Sequence, residues 1–206
     1  MDARPDLSLG GLSQRLFMTP PAMPLAPTRG DYDLNPAARP ATPAALMAAA
    51  VLIPIVQRAE PTILFTARSP KLTHHPGQVS FPGGRREASD TTLTATALRE
   101  MEEEIGITPE FVTVAGYLEP YETITAFAVL PVVGLVSGDF TLTIDAREVD
   151  DVFEVPVSVL FDPASLQEER LAFNGQTRRV YAFRYGPHRI WGATAAILVN
   201  LREQLL

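Results

Sequence analysis

Apolar positions cluster in the second half of the first hundred residues and recur, in distinct textures, to the end of the 206-residue chain. From Ala48 the runs AAAVLIPIV and TILFTAR, separated by a turn at Glu60-Pro61, are nearly unbroken in hydrophobicity and rich in β-branched residues. They predict a pair of core strands, because a strand buried on both faces shows no polar alternation. The longest apolar run, Ala44 to Val56, is too short to span a bilayer and contains Pro54, so it is expected to begin as a loop or short helix and become a strand. FVTVAGYL predicts another strand and ITAFAVLPVVGLV a longer buried one, and VSVLF is helix-like. Residues 165 to 185 alternate polar and apolar and predict a hairpin turning at Asn174-Gly175. RIWGATAAILVNLREQLL predicts a C-terminal amphipathic helix.

Between the first strands and the rest lies GGRREASDTTLTATALREMEEEIGI, Gly83 to Ile107. Spacing predicts a helix from Thr91 to Ile105, with Asp90 as N-cap and Gly106 as a C-terminal residue tolerant of positive φ. Leu98, Met101 and Ile105 fall on one stripe; Glu100, Glu103 and Glu104 fall on another. Like charges at this spacing repel by a few tenths of a kcal/mol per pair, and acidic groups at a helix C-terminus oppose the macrodipole. Either the stripe is a solvated face or a cation neutralises it.

With 46% hydrophobic residues the chain can bury one sizeable core. Eight of its 19 prolines precede residue 44, which divides it into a proline-rich extension, 1–43, and a domain, 44–206. The extension is expected to be mostly extended or mobile, with a short helix near Leu12 to Phe17. Leu16, Phe17 and Met18 are free to dock on the domain or on a second copy, so a homodimer stays open. A net charge of -7 argues against nucleic-acid or anionic-membrane partners. Zero cysteines exclude disulfides and thiol chemistry and fit a reducing compartment. With no basic-then-apolar start, a cytoplasmic location is expected.

One local exception to the acidic balance exists. Pro61 to Arg86 contains no Asp or Glu but holds Arg68, Lys71, His74, His75, Arg85 and Arg86. It is either a solvated basic loop or, beside a carboxylate stripe, one half of a site for an anionic substrate.

The run Arg99-Glu100-Met101-Glu102-Glu103-Glu104-Ile105-Gly106-Ile107 resembles the core of the Nudix box, Arg-Glu-bulky-x-Glu-Glu-x-Gly-bulky. Upstream, Asp90 stands where the general pattern has Glu, with one extra residue before Arg99. Leu72 to Gly84, LTHHPGQVSFPGG, resembles the L-x-x-H-x-G-Q-V-x-F-P-G-G signature of the coenzyme A diphosphatase branch, and Arg68-Ser69 its R-S element. That branch commonly carries the same Asp and the same extra residue. Arg147-Glu148-Val149 and Ile190-Trp191-Gly192-Ala193-Thr194-Ala195 resemble further family elements, so the resemblance covers about residues 48 to 203.

The resemblance implies an α+β protein with the Nudix fold, an α/β/α sandwich around a mixed sheet. It implies Glu103 and Glu104 as metal ligands, Glu100 as ligand or general base, Arg99 as the residue that orients a glutamate, and Mg²⁺ or Mn²⁺ as cofactor. Carboxylates are hard ligands, which suit those ions. Glu119, Glu122 and Glu148 stay open as alternative bases or as plain loop carboxylates. Gly83 and Gly84 let backbone approach a ligand; Arg68, Lys71, His75, Arg85 and Arg86 are candidate substrate contacts. Trp191 and Thr194 are expected to pack the last helix, and Tyr121 and Phe173 are candidates to stack on adenine. The implied substrate is a small molecule, coenzyme A or its thioesters, cleaved at the diphosphate. Another nucleoside diphosphate compound such as ADP-ribose or NADH is the alternative, and a non-catalytic nucleotide-sensing domain a further one.

Overall fold

A computed structural model describes residues 5–39, 45–73, 75–173 and 175–206. In chain order the elements are α1 (Leu9–Arg15), β1 (Arg29–Gly30), β2 (Met47–Val56), β3 (Thr62–Arg68), β4 (Val79–Ser80), β5 (Gly83–Arg85), α2 (Leu93–Ile105), β6 (Val112–Tyr117), β7 (Tyr121–Glu122) and β8 (Phe127–Val136). Then follow β9 (Val149–Pro156), α3 (Val157–Phe161), β10 (Leu166–Phe173), β11 (Gln176–Tyr185), β12 (His188–Trp191) and α4 (Ala193–Leu205).

Among the described residues, nine strands form one mixed sheet ordered β1-β7-β8-β2-β3-β4, with β5 on β2, β6 on β8 and β9 on β3. β2 and β8, the two most apolar runs, pair in parallel along their whole length at its centre. Both faces of β2 are covered, which its unbroken hydrophobicity requires. Ala50, Leu52 and Val56 pack toward α2 with Met101 and Ile105; Ile53 and Ile55 pack toward Leu198 and Leu201 of α4 and Leu12 of α1. The layers are therefore helix, sheet, helix.

Pro54 sits inside a central strand without breaking it. β2 pairs with β5 only up to Val51 and with β3 only from Ile55, and the intervening Leu52 N–H goes to Pro82 O at 2.9 Å. The missing Pro54 N–H lies on that same edge, two residues on, where the ladder has parted.

Three boundaries differ from the sequence reading. Helix α2 starts at Leu93 and its cap is Thr92, whose side chain accepts from Ala95 N at 3.0 Å. Asp90 cannot serve, because its carboxylate is held by Arg99, Glu87 N and Thr96. The C-terminal helix starts at Ala193, since Arg189–Trp191 belongs to β12, paired to β11; Gly192, at φ 65°, makes the turn between them. The short N-terminal helix lies at Leu9–Arg15, earlier than expected. Gly106 does terminate α2, at φ 77° with its N–H on Glu102 O. The hairpin β10–β11 forms with Phe173 opposite Gln176; Asn174 lies outside the described residues, as do His74, Pro40, Pro43 and Ala44.

The described part of the proline-rich segment, residues 5–39, packs on the domain. Leu12 and Leu16 are buried in the core, Phe17 pairs its backbone with Tyr117, and β1 joins the sheet beside β7. Phe17 and Met18 keep their side chains exposed.

Candidate active site

The site forms where β5 delivers its glycines to the C-terminal half of α2. Phe81, stacked on Phe65 with centroids 5.2 Å apart, anchors the approach. Gly83 and Gly84 then pair with Val51 and Ala50 of β2. A Cβ at Gly83 would meet Ala50 O at 2.5 Å, and one at Gly84 would fall on the Glu100 carboxylate. Both positions therefore require the absence of a side chain, one for the sheet and one for the site.

Arg99 organises the carboxylates. Its Nε and Nη2 donate to the two oxygens of Asp90 at 3.0 and 3.1 Å, and Nη2 also reaches Arg85 O. Nη1 donates to Glu103 at 2.7 Å, and Nη2 stands 3.0 Å from Glu100 Oε1. Asp90 is buried, and this bidentate pair holds its pKa well below the usual range. One guanidinium thus ties the loop before the helix to two glutamates on it.

The three glutamates occupy unlike environments. Glu103 is 60% exposed and is spoken for by Arg99. Glu100 is mostly covered, and burial raises its pKa against the opposing pull of Arg99. Glu104 is 3% exposed, and its Oε2 has no partner. Burial first, then the charges of Glu100 and Glu148, push it up to about 8, although Arg68 and the Gly83 N–H oppose this. Among the described residues, no three acidic or imidazole groups already stand together as a cation site. The structure brings Glu100 and Glu104 together and keeps Glu103 on the flank.

Of the loop carboxylates, only Glu148 couples to Glu100 and Glu104. Glu122 pairs with Arg39 at 3.2 Å, and Glu119 lies in the field of Arg29. The basic residues divide likewise. Arg68 lies near Glu104, with its Nε buried and without a partner. Lys71, His75 and Arg85 are exposed. Arg86 is exposed as well but donates to Asp90 O, which bolts it to the loop. Tyr121 is fully buried, with its hydroxyl on Asp31, so it is not free to stack on a base; nothing is described of the Phe173 side chain. Thr194 is buried and donates to Val79 O, tying α4 to β4.

Residues 46–181 match the NUDIX domain. The chain belongs to the Nudix family. It is 42% identical over 157 residues to the Nudix hydrolase NudL of Photorhabdus laumondii, itself named uncharacterized, covering 76% of this chain and 84% of that protein. The NudL of Citrobacter koseri is equally similar, at 42% identity over 76% of this chain and 82% of its own. Among solved structures, the Nudix hydrolase RenU of M. smegmatis superposes with a TM-score of 0.48 at 18% identity, covering 76% and 84% of the two chains. As a Nudix hydrolase, the protein acts on pyrophosphate bonds in nucleoside-diphosphate-linked compounds, and the family uses divalent ions such as Mg²⁺ or Mn²⁺.

The residues here fit such an ion. The orphaned, buried Glu104 Oε2 is an oxygen donor without a proton donor, and Glu100 lies beside it over a glycine. Sequence reasoning missed Asp90 as the anchor of Arg99, because an acidic residue before a helix also reads as a cap. It also missed the residues of Arg29–Asn35 that line one cavity together with Gly83. No helix among the described residues is long and apolar enough to cross a membrane.

Proposed function

We propose that the protein hydrolyses the diphosphate of coenzyme A or its thioesters, releasing adenosine 3′,5′-bisphosphate and 4′-phosphopantetheine or its acyl form. Water adds to one phosphorus, the bridging P–O bond breaks, and the proton of the water leaves to a carboxylate. The observation that carries this reading is the acid-free stretch from Pro61 to Arg86, bearing the coenzyme A motif and ending on Gly83 and Gly84 against Glu100 and Glu104.

In this reading Glu104 and Glu100 hold Mg²⁺ or Mn²⁺, with Glu103 presented beside them on Arg99. When bound, the ion supplies charge neutralisation for the diphosphate and acidity for the attacking water. Arg99 keeps Glu100 and Glu103 oriented while itself fixed on Asp90. Glu148, the loop carboxylate whose charge Glu100 and Glu104 both feel, is the preferred proton acceptor. Exposed Lys71, His75 and Arg85 are available to the phosphates of the nucleotide half, and Arg68 to the scissile diphosphate. A cytoplasmic location goes with the reading.

The test is a substrate panel: coenzyme A, 3′-dephospho-coenzyme A, ADP-ribose and NADH with Mg²⁺ and with Mn²⁺. Coenzyme A is expected to lead. Equal rates on coenzyme A and its 3′-dephospho form would remove the basic loop from substrate choice, and a lead for ADP-ribose or NADH would replace the substrate.

A further inference from the structure

Beside Gly83 opens a cavity of about 590 Å³. Its walls come from the N-terminal segment Arg29–Asn35, the stretch around Ile124, the hairpin residues Leu171, Ala172 and Arg178–Tyr181, Trp191 with α4, and the β4–β5 region with Arg68 at the end of β3. We propose that it binds the non-nucleotide half of the substrate, a neutral aliphatic chain bearing carbonyl acceptors, and that Arg29–Asn35 is the specificity wall. This rests on the coenzyme A reading and deepens it.

Position comes first. Gly83 belongs to both sites: its N–H faces Glu104, and with Val51 and Phe81 it lines the cavity. A substrate cleaved at the carboxylates therefore has an adjoining chamber for whatever extends beyond its diphosphate. The volume lies within the roughly 300–1,000 Å³ typical of small-molecule sites.

Chemistry comes second. Leu34, Ile124, Leu171, Val180 and Trp191 make the lining largely apolar. The cations around it are matched by carboxylates: Arg29 with Asp33 and Glu203, Arg179 with Glu168, and Arg189 with Glu169, while Arg178 lies in the field of Asp31. Apart from Arg68 and His75, which the coenzyme A reading already assigns to phosphates, the chamber therefore offers no surplus charge for a further phosphate. It does offer donors. Asn200 Nδ2 and Arg68 Nε line it, are buried, and have no acceptor in the protein. A buried donor without an acceptor is costly, and ligand carbonyls are what would satisfy these two.

The wall is built to stay in place. Asp31 accepts from the Tyr121 hydroxyl and from Ile124 N, both at 2.8 Å. Asn35 exchanges two hydrogen bonds with the Arg179 backbone, Nδ2 to O and N to Oδ1, both at 2.9 Å, and so stitches the segment to β11. Gly30 lies so close to Glu122 that a Cβ would meet its carbonyl at 2.7 Å. All of Arg29–Asn35 lies outside the residues that match the NUDIX domain, so the generic catalytic unit does not supply this wall.

Trp191, the only tryptophan in the chain, lines the chamber and reports on it directly. Full-length protein is titrated with pantetheine, the chain without nucleotide, and with ADP, a nucleoside diphosphate without the chain, while Trp191 emission is followed. Pantetheine is expected to shift the emission of the wild type. Ala196→Phe, which fills the chamber, is expected to abolish the shift, and Asn200→Leu to weaken binding about tenfold through loss of a buried hydrogen bond. In turnover, Asn35→Ala, which frees the wall, is expected to lower the preference for coenzyme A over 3′-phospho-ADP about tenfold, by raising the KM for coenzyme A. Thermal melting confirms that each variant is folded, and Asn35→Ala decides the matter if Ala196→Phe is not. No response to pantetheine, or variants that leave the coenzyme A preference unchanged, would overturn the inference. If the wild type leaves coenzyme A intact, the proposed substrate falls while the pantetheine titration still decides the chamber.

Discussion

Replacing Glu104 by glutamine should stabilise the cation-free protein while removing its response to divalent ions. The folded protein holds the Glu104 proton up to about pH 8, against an ordinary value of 4.5. The sign follows from proton counting: between pH 4.5 and 8 the folded state binds the proton and the unfolded chain does not, so stability falls as pH rises. Each unit is worth about 1.4 kcal/mol, which sets a ceiling of about 3 kcal/mol at pH 7 and about 5 kcal/mol above pH 8. Glutamine has no charge to bury and escapes this. At 2–4 °C per kcal/mol for a chain of this size, Glu104→Gln should melt on the order of 10 °C higher than wild type in EDTA at pH 9, with the gap closing toward pH 5. Adding Mg²⁺ should close about half of that gap. At about 100 Kd a ligand stabilises the wild type by about 2.7 kcal/mol, and the variant should gain little. Turnover should fall by about 100-fold or more, because even residues that merely support metal ligands cost 10–100-fold. Scanning calorimetry across pH, with EDTA and with Mg²⁺, reads all of this. A variant that melts below wild type in EDTA at pH 9, or equal Mg²⁺ shifts for both proteins, would refute the account of Glu104 as a buried carboxylate kept for a cation.

Gly84→Ala should push the Glu100 carboxylate off its seat, since the new Cβ falls on it; a stability loss of about 1–3 kcal/mol is expected from overpacking, with a weaker Mg²⁺-induced shift in melting temperature. Asp90→Asn leaves Arg99 without its bidentate partner and should cost about 3 kcal/mol in urea unfolding at pH 7. Because the folded-state pKa of Asp90 is depressed, its contribution is fully present above the unfolded value of 3.8; the difference between the two proteins should therefore stay constant from pH 5 to 9 and shrink only in strong acid.

Several features were legible in the residues because they depend on local physics. Unbroken apolar runs became the doubly covered β2 and β8, and the glycine after Ile105 became the left-handed cap that its flexibility suits. The stripe of Met101 and Ile105 packs as its spacing requires. Where local signals compete, they misled. Asp90 and Thr92 are both competent caps, and only the reach of Arg99 across the turn decides which of them is used. Ile190-Trp191 continues smoothly into a helical pattern, yet pairing with β11 takes it into a strand.

The three glutamates show the division most plainly. Their spacing on one helix, and hence their mutual repulsion, is written in the sequence. Their difference is not: Glu103 is exposed on Arg99, while Glu104 is sealed beneath Gly83 with one oxygen unpaired. Burial is a property of what arrives from elsewhere, here β5, Arg68 and the loop carrying Glu148. The chamber beside them is still less readable, since Asn35 and Arg179, which close it, are 144 residues apart. The sequence by itself determined the family, the long strands and the helix that bears the carboxylates, because these follow from patterns within a few turns of chain. Only the tertiary structure decided which carboxylate is charged at what cost and that the proline-rich segment walls a cavity, because desolvation and enclosure depend on distant segments meeting.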